Sequence, residues 1–264
     1  VDGRPTIPGS TLKGVIRSVV EAVNHSCVTV TRLRGHELPD GVRISTDRRS
    51  RCGPQRACPA CSMFGRMGQL SKVSCADAPA APDVVTRPFR LSALYRPRPD
   101  RRPVVYLNQD GKFAGRKFYV HSLPTEDRRQ PPIEVVAPGQ HFAARVDFEN
   151  LSPAELGLLC FATGVDGTLM LKIGGGKPVG LGSVQVIDAA AVLLDGESFL
   201  QASVSETTYR DDALVKLIQR CVDRAARQRL FLLDQAMTLA EALAFTTERE
   251  ASTGILGNAR SYSQ

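Results

Sequence analysis

Tryptophan is absent from this chain, there are only four histidines, and aromatic side chains make up 6% of the residues. A broad aromatic platform for bases is therefore excluded, and any stacking has to use a few Tyr and Phe rings. No apolar run is long enough to span a bilayer, and no signal peptide is visible. The expectation is a cytoplasmic protein without a membrane partner. No segment repeats at a fixed period. Also missing is a convincing catalytic set: neither a carboxylate pair, nor Ser-His-Asp, nor a Cys-His nucleophile stands out. Proline stops at Pro178, which leaves the remainder free to form long helices.

What is present is globular in character. The 264 residues are 42% hydrophobic and 23% charged, enough for one large domain or two small ones. The net charge of +7 and a pI near 9.2 favour a polyanionic partner. The first residue is Val, as in a fragment or a processed chain. Of seven cysteines, Cys52, Cys58 and Cys61 are bunched. Without export signals that grouping points to a metal in a reducing cytoplasm rather than to disulfides.

Near the start, "IPGSTLKGVIRS" places Ser10 as an N-cap. Leu12, Val15, Ile16, Val19, Val20 and Val23 then form the apolar stripe of a helix running to about Asn24. The free amides after Ser10, the helix dipole, Lys13 and Arg17 together make a phosphate-sized anion site. The plainer alternative leaves Lys13 and Arg17 solvated, with Arg17 paired to Glu21. From Cys27 to about Val84 the text is irregular and reads as a long insertion that needs a staple. Its "RCGPQRACPACSMFG" has Cys-x5-Cys-x2-Cys spacing, suited to one tetrahedral zinc. The fourth ligand is open among His36, His25, Cys27 and Cys75, with His36 preferred as a neutral imidazole in the same insertion. Three ordinary thiols, or a redox pair at Cys58 and Cys61, are the rivals.

Between Arg87 and Arg129, eleven Arg and Lys stand against four acids, interleaved with Tyr95, Tyr106, Phe113, Phe118 and Tyr119. Such a segment, including Arg116 and Lys117, can track a nucleic-acid backbone. It can equally be a solvated, proline-stiffened loop. His121 in "RKFYVH" is either a nucleic-acid contact or a strand-edge residue. Phe142 to Phe148 alternates as a strand. Ser152-Pro153-Ala154-Glu155 then carries an N-cap, a first-turn proline and a capping-box Glu. A strand near residues 168–173 runs into "GGGKPVGLG", and another follows near 183–187. Gly174, Gly175 and Gly176 let a backbone approach an anion, and Lys177 adds a charge. The loop matches neither a P-loop nor a dinucleotide fingerprint. Residues 211–246 read as helical, and the tail from Thr247 as polar and loose.

Five segments in this order, "IPGSTLKGVIRS", "CPACSMFG", "GRKFYVH", "FENLSPAELGLL" and "GGGKPVGLGSV", resemble the RAMP superfamily of CRISPR-associated proteins. The likeness is closest to backbone subunits of the seventh Cas class in type III and related effector complexes. It implies an α+β fold: a ferredoxin-like core of the RNA-recognition-motif type over 1–190. A zinc insertion would fill about 27–84 and a basic thumb hairpin about 86–130. A linker and helical extension over 191–264 lies outside the likeness. The resemblance further implies that Ser10, Thr11, Lys13 and Arg17 touch guide RNA, with Gly174, Gly175, Gly176 and Lys177 opposite them. Cys52, Cys58 and Cys61 match the family's structural zinc cysteines. Implied partners are guide RNA, a target RNA or DNA paired to it, and other Cas subunits or copies of the chain. The family core begins upstream of the "IPGS" helix, where this chain starts too late to contain the first strand and loop in full. Target-cleaving members carry their cutting Asp there. The acid present, Asp2 before "GRP", does not match that loop, so no residue is assigned to catalysis. The rival function is a RAMP-type endoribonuclease that processes guide precursor, with a histidine such as His121, or cleaves target RNA.

Overall fold

The computed structural model describes residues 3–28, 33–39, 42–44, 52–53, 56–94, 106–194, 205–245 and 259–261. Asp2, Tyr95 and the arginine-rich stretch 96–102 lie outside them. After β1 (Thr6–Ile7), Pro8 adopts φ −60° and ψ 137° and opens α1 (Gly9–Val23), so Ser10 is inside the helix rather than its cap. The first amide is satisfied from 68 positions away, where the Asp77 carboxylate accepts from Gly9 N–H at 2.7 Å. Glycine is required at position 9, because a Cβ there would lie 2.1 Å from the Cys75 carbonyl oxygen. The helix ends at Asn24, as its apolar stripe predicts.

The expected insertion holds a helical turn at Gly35–Glu37, the short helix α2 (Pro59–Phe64), and strands β2 (Val73–Cys75) and β3 (Ala78–Pro79). Then come β4 (Thr86–Phe89), β5 (Lys117–Tyr119), β6 (Ile133–Val136) and β7 (Val146–Phe148). Helix α3 (Pro153–Thr163) starts with the predicted box: Ser152 Oγ accepts from Glu155 N–H, and Glu155 accepts from Ser152 N–H. Strands β8 (Leu171–Lys172) and β9 (Ser183–Val184) flank the glycine turn, followed by β10 (Ala191–Leu194) and β11 (Glu206–Tyr209). Strand β8 is shorter than its sequence suggests because Asp166 holds the Thr168 amide in a turn at 3.1 Å. The C-terminal helix divides into α4 (Asp211–Arg227) and α5 (Leu233–Ala242), with Arg229 at φ 55° in the break. The tail contributes β12 (Ala259–Ser261), antiparallel to β5.

Among the described residues the fold is mixed α+β, with small antiparallel ladders: β1 with β3, β2 with β7, β4 with β6, β5 with β12, β8 with β9 and β10 with β11. Segment 73–81 is paired on both of its edges. It meets β1 on one edge and residues 141–148 on the other, through Ala80 N–H to Pro5 O and Ala81 N–H to His141 O, both at 2.9 Å. Helix α1 lays Ile16, Val19, Val20 and Val23 into one core with Val73, Leu158 and Phe161. Phe231, Leu239 and Leu243 from the C-terminal helices enter the same core. Phe231 meets the edge of Phe161 at 5.2 Å between ring centres. Leu232 N–H donates to Val23 O at 2.8 Å, which ties α5 to the end of α1.

Candidate metal centre and nucleic-acid interface

Four sulfurs converge at the mouth of α2. Cys58 precedes the helix, Cys61 lies in its first turn, and the chain brings Cys52 and Cys27 against them. All four Sγ atoms lie within 4.8 Å of one another. Zn–S bonds of about 2.3 Å in a tetrahedron require sulfurs roughly 3.8 Å apart, so the group has the right size for one metal ion. Cys27 and Cys52 sulfurs are 3.2 Å apart, and no cysteine is in a disulfide. Backbone amides already point at the sulfurs: Cys27 N–H to Cys58 Sγ at 3.4 Å and Cys58 N–H to Cys52 Sγ at 3.3 Å. Hydrogen bonds from the Cys27 and Cys61 thiols depress Cys58, favouring a first thiolate there. The same sulfur contacts, from Cys27 and Cys58, together with burial, raise Cys61. Further negative charge in this group is thus unfavourable until a cation joins it. The donor set fits a metal. The fourth sulfur of the group is that of Cys27, and the preferred His36 is exposed on the turn at Gly35–Glu37, outside the group. Cys27 is 25 residues from Cys52 in sequence, so no local spacing singled it out.

Along α1, Ser10 is exposed, Thr11 half-buried, and Lys13 reaches Ser71 Oγ at 2.8 Å. Burial, with repulsion from Arg17, pulls Lys13 below the usual lysine range despite the opposing pull of Cys75. Arg17 turns inward rather than toward an outside anion. Its Nε donates to Glu21 Oε1 at 2.7 Å and Nη1 to Gly65 O at 2.8 Å, while Nη2 lies 3.9 Å from Cys61 Sγ. The plainer reading of Arg17 as Glu21's partner is the one observed. Arg116 joins them by donating to Glu21 Oε2. Lys117, its neighbour on β5, is exposed and sits 4.8 Å above the Tyr119 ring and 5.5 Å from that of Tyr106.

Gly174 and Gly175 are exposed, and a Cβ on either would meet open space. Behind them Gly176 is buried at φ 67°, where a side chain would strike Leu181. Lys177 starts a short helical turn, Lys177–Val179, that closes on Gly180 at φ 95°. Sequence reasoning passed over Lys172, which looks like an ordinary strand residue. It is 6% exposed, and its Nζ donates to Leu181 O at 2.9 Å across the base of the turn. Burial and the Lys177 charge pull it down to about 8. No carboxylate pairs with Lys172 or Lys177 among the described residues. His121 is fully buried, with Nδ1 2.8 Å from Ser183 Oγ and Nε2 3.3 Å from Met170 O. A buried imidazole with both nitrogens engaged is a structural group here, not a nucleic-acid contact. No helix of the described residues is long and apolar enough to cross a membrane.

No curated protein matches the chain. A family model described as the RAMP superfamily matches residues 1–185. That span contains α1, the four cysteines, the basic strand β5 and the whole glycine turn. It connects the chain to CRISPR-associated RNA binding or processing. With more than half of its length matched, the chain belongs to the RAMP superfamily.

Proposed function

We propose that this protein is a guide-RNA-binding backbone subunit, of the seventh Cas class, in a type III or related CRISPR effector complex acting in antiviral defence. It works in the cytoplasm with other Cas subunits or copies of itself, on a target RNA or DNA paired to the guide. The carrying observation is the glycine turn. Two exposed glycines lie beside Lys172 and Lys177, cations without a carboxylate partner among the described residues, in a RAMP chain of net charge +7. Unbalanced positive charge beside backbone that can be approached closely suits a phosphodiester. Ser10, Thr11 and Lys13 on α1, Lys117 on β5, and Gly174 through Lys177 form the proposed RNA face. Contacts of this kind tolerate any guide sequence, because phosphates carry no base identity. A ferredoxin-like core and a thumb formed by the basic segment complete the reading. Zinc at Cys27, Cys52, Cys58 and Cys61 staples the insertion and takes no part in chemistry.

The protein purified at low salt should carry short RNAs sharing a repeat-derived end. Replacing Lys177 by Gln should lower the log–log salt slope of RNA binding by about one. A preparation free of RNA that also fails to bind added guide overturns the reading. Turnover of labelled RNA, abolished by a single substitution, would put the endoribonuclease in its place. His121 lends that alternative no support, since its ring is enclosed.

A further inference from the structure

Arg17 carries a feature that RNA binding does not use. Its side chain is only 14% exposed, and all three guanidinium nitrogens are directed at fixed partners. One side is held by Glu21 of its own helix, which is 3% exposed. Another is held by the carbonyl of Gly65, the residue that ends α2 at φ 76°. The third faces Cys61 Sγ. Gly65 cannot be replaced without moving this edge, because a Cβ there would lie 2.9 Å from Gln69 O. Beyond Glu21 stands Arg116, also mostly enclosed.

Charge makes this arrangement informative. An Arg–Glu–Arg group taken out of water is costly, and it carries one surplus positive charge. Four thiolates around a divalent cation carry a net double negative charge, and among the described residues the Arg17 guanidinium stands against it, 3.9 Å from Cys61 Sγ. Partners of this kind beyond the ligands orient and stabilise metal centres, and losing one typically weakens metal binding roughly 10–100-fold. We propose that Arg17 is the outer-sphere cation of the four-cysteine centre, clamped by Glu21, and that it joins metal occupancy to the placement of α1 and, through Arg116, of β5. The metal stabilises the inward position of Arg17, and Arg17 in turn strengthens the hold on the metal.

The test measures zinc affinity of the full chain by chelator competition and, separately, RNA affinity of the zinc-loaded protein at several salt concentrations. Arg17→Gln should lose roughly 10–100-fold in zinc affinity, and Arg17→Lys, which keeps the charge without the fork, should recover part of it. Glu21→Gln should weaken zinc binding as well, and it serves if Arg17→Gln fails to fold. Lys72→Gln removes the nearby Lys72–Glu155 pair, which touches no sulfur, and should leave zinc affinity at the parent value. The salt slope of RNA binding should stay unchanged in zinc-loaded Arg17→Gln. Three results would overturn the assignment: Arg17→Gln holding zinc as tightly as the parent, Lys72→Gln losing zinc equally, or a salt slope lower by about one, which marks a phosphate contact. Failure of RNA binding in the parent would strike the proposed function and leave the zinc measurement intact.

Discussion

Folding takes the Lys172 ammonium to 6% exposure, gives it one carbonyl acceptor, and sets the charge of Lys177 near it. The group falls from its ordinary 10.5 to about 8. Below pH 8 it is charged in both folded and unfolded chains, and the fold bears the full burial cost. Between about 8 and 10.5 the unfolded chain binds the extra proton, so the group's contribution to stability rises with pH. A Lys172→Met protein lacks this dependence. Measured by urea unfolding without RNA, its stability relative to the parent should be greatest below pH 8 and should shrink steadily towards pH 10.5. A difference that stays flat across that range refutes the account. At this scale the sequence was informative where chemistry repeats at short intervals, as with Cys58 and Cys61. It was silent or undecided where folding supplies the partner, and Cys27 stood only as one of four candidates, behind His36. Asp77 reaches the first turn of α1 across 68 positions, and Cys27 reaches Cys52 across 25. No local pattern encodes either meeting.

Two helical glycines show how the surroundings decide the sign of one substitution. A Cβ at Gly157 on α3 would lie 2.1 Å from the Cys221 carbonyl of α4, so these helices touch backbone to backbone. Gly157→Ala should force them apart and destabilise the protein by about 1–3 kcal/mol, as overpacked sites do. At Gly14 on α1 a Cβ meets nothing within 4 Å. Gly14→Ala should stabilise by up to about 1 kcal/mol through helix propensity alone. Thermal unfolding of both variants checks the opposed signs. The long helices were legible because an apolar stripe repeats several times in each, and α3 was marked by its capping box. The ladders were legible only in part: the alternation from Phe142 to Phe148 contains β7, and the strands expected near 168–173 and 183–187 contain β8 and β9. Strands such as β1, β2 and β3, of two or three residues, are too short to show alternation, and each exists only because a distant segment completes its hydrogen bonds.

Over the whole molecule, the core does not end where the likeness ends. Phe231, Leu239 and Leu243 share one apolar cluster with Ile16, Val20 and Leu158. Burying three such side chains contributes roughly 2 kcal/mol each, which already reaches the lower end of ordinary folding stability, about 5 kcal/mol. A chain stopped after residue 190 should therefore lose cooperative unfolding and aggregate. A soluble truncated protein with a sharp melting transition would contradict this. The stretch recognised as RAMP closes at residue 185, while the interior it encloses is finished by helices farther along. The family match and the folded interior thus end at different places in this polypeptide. Anyone transplanting the recognised stretch into another assembly must bring along the helices that lie beyond it.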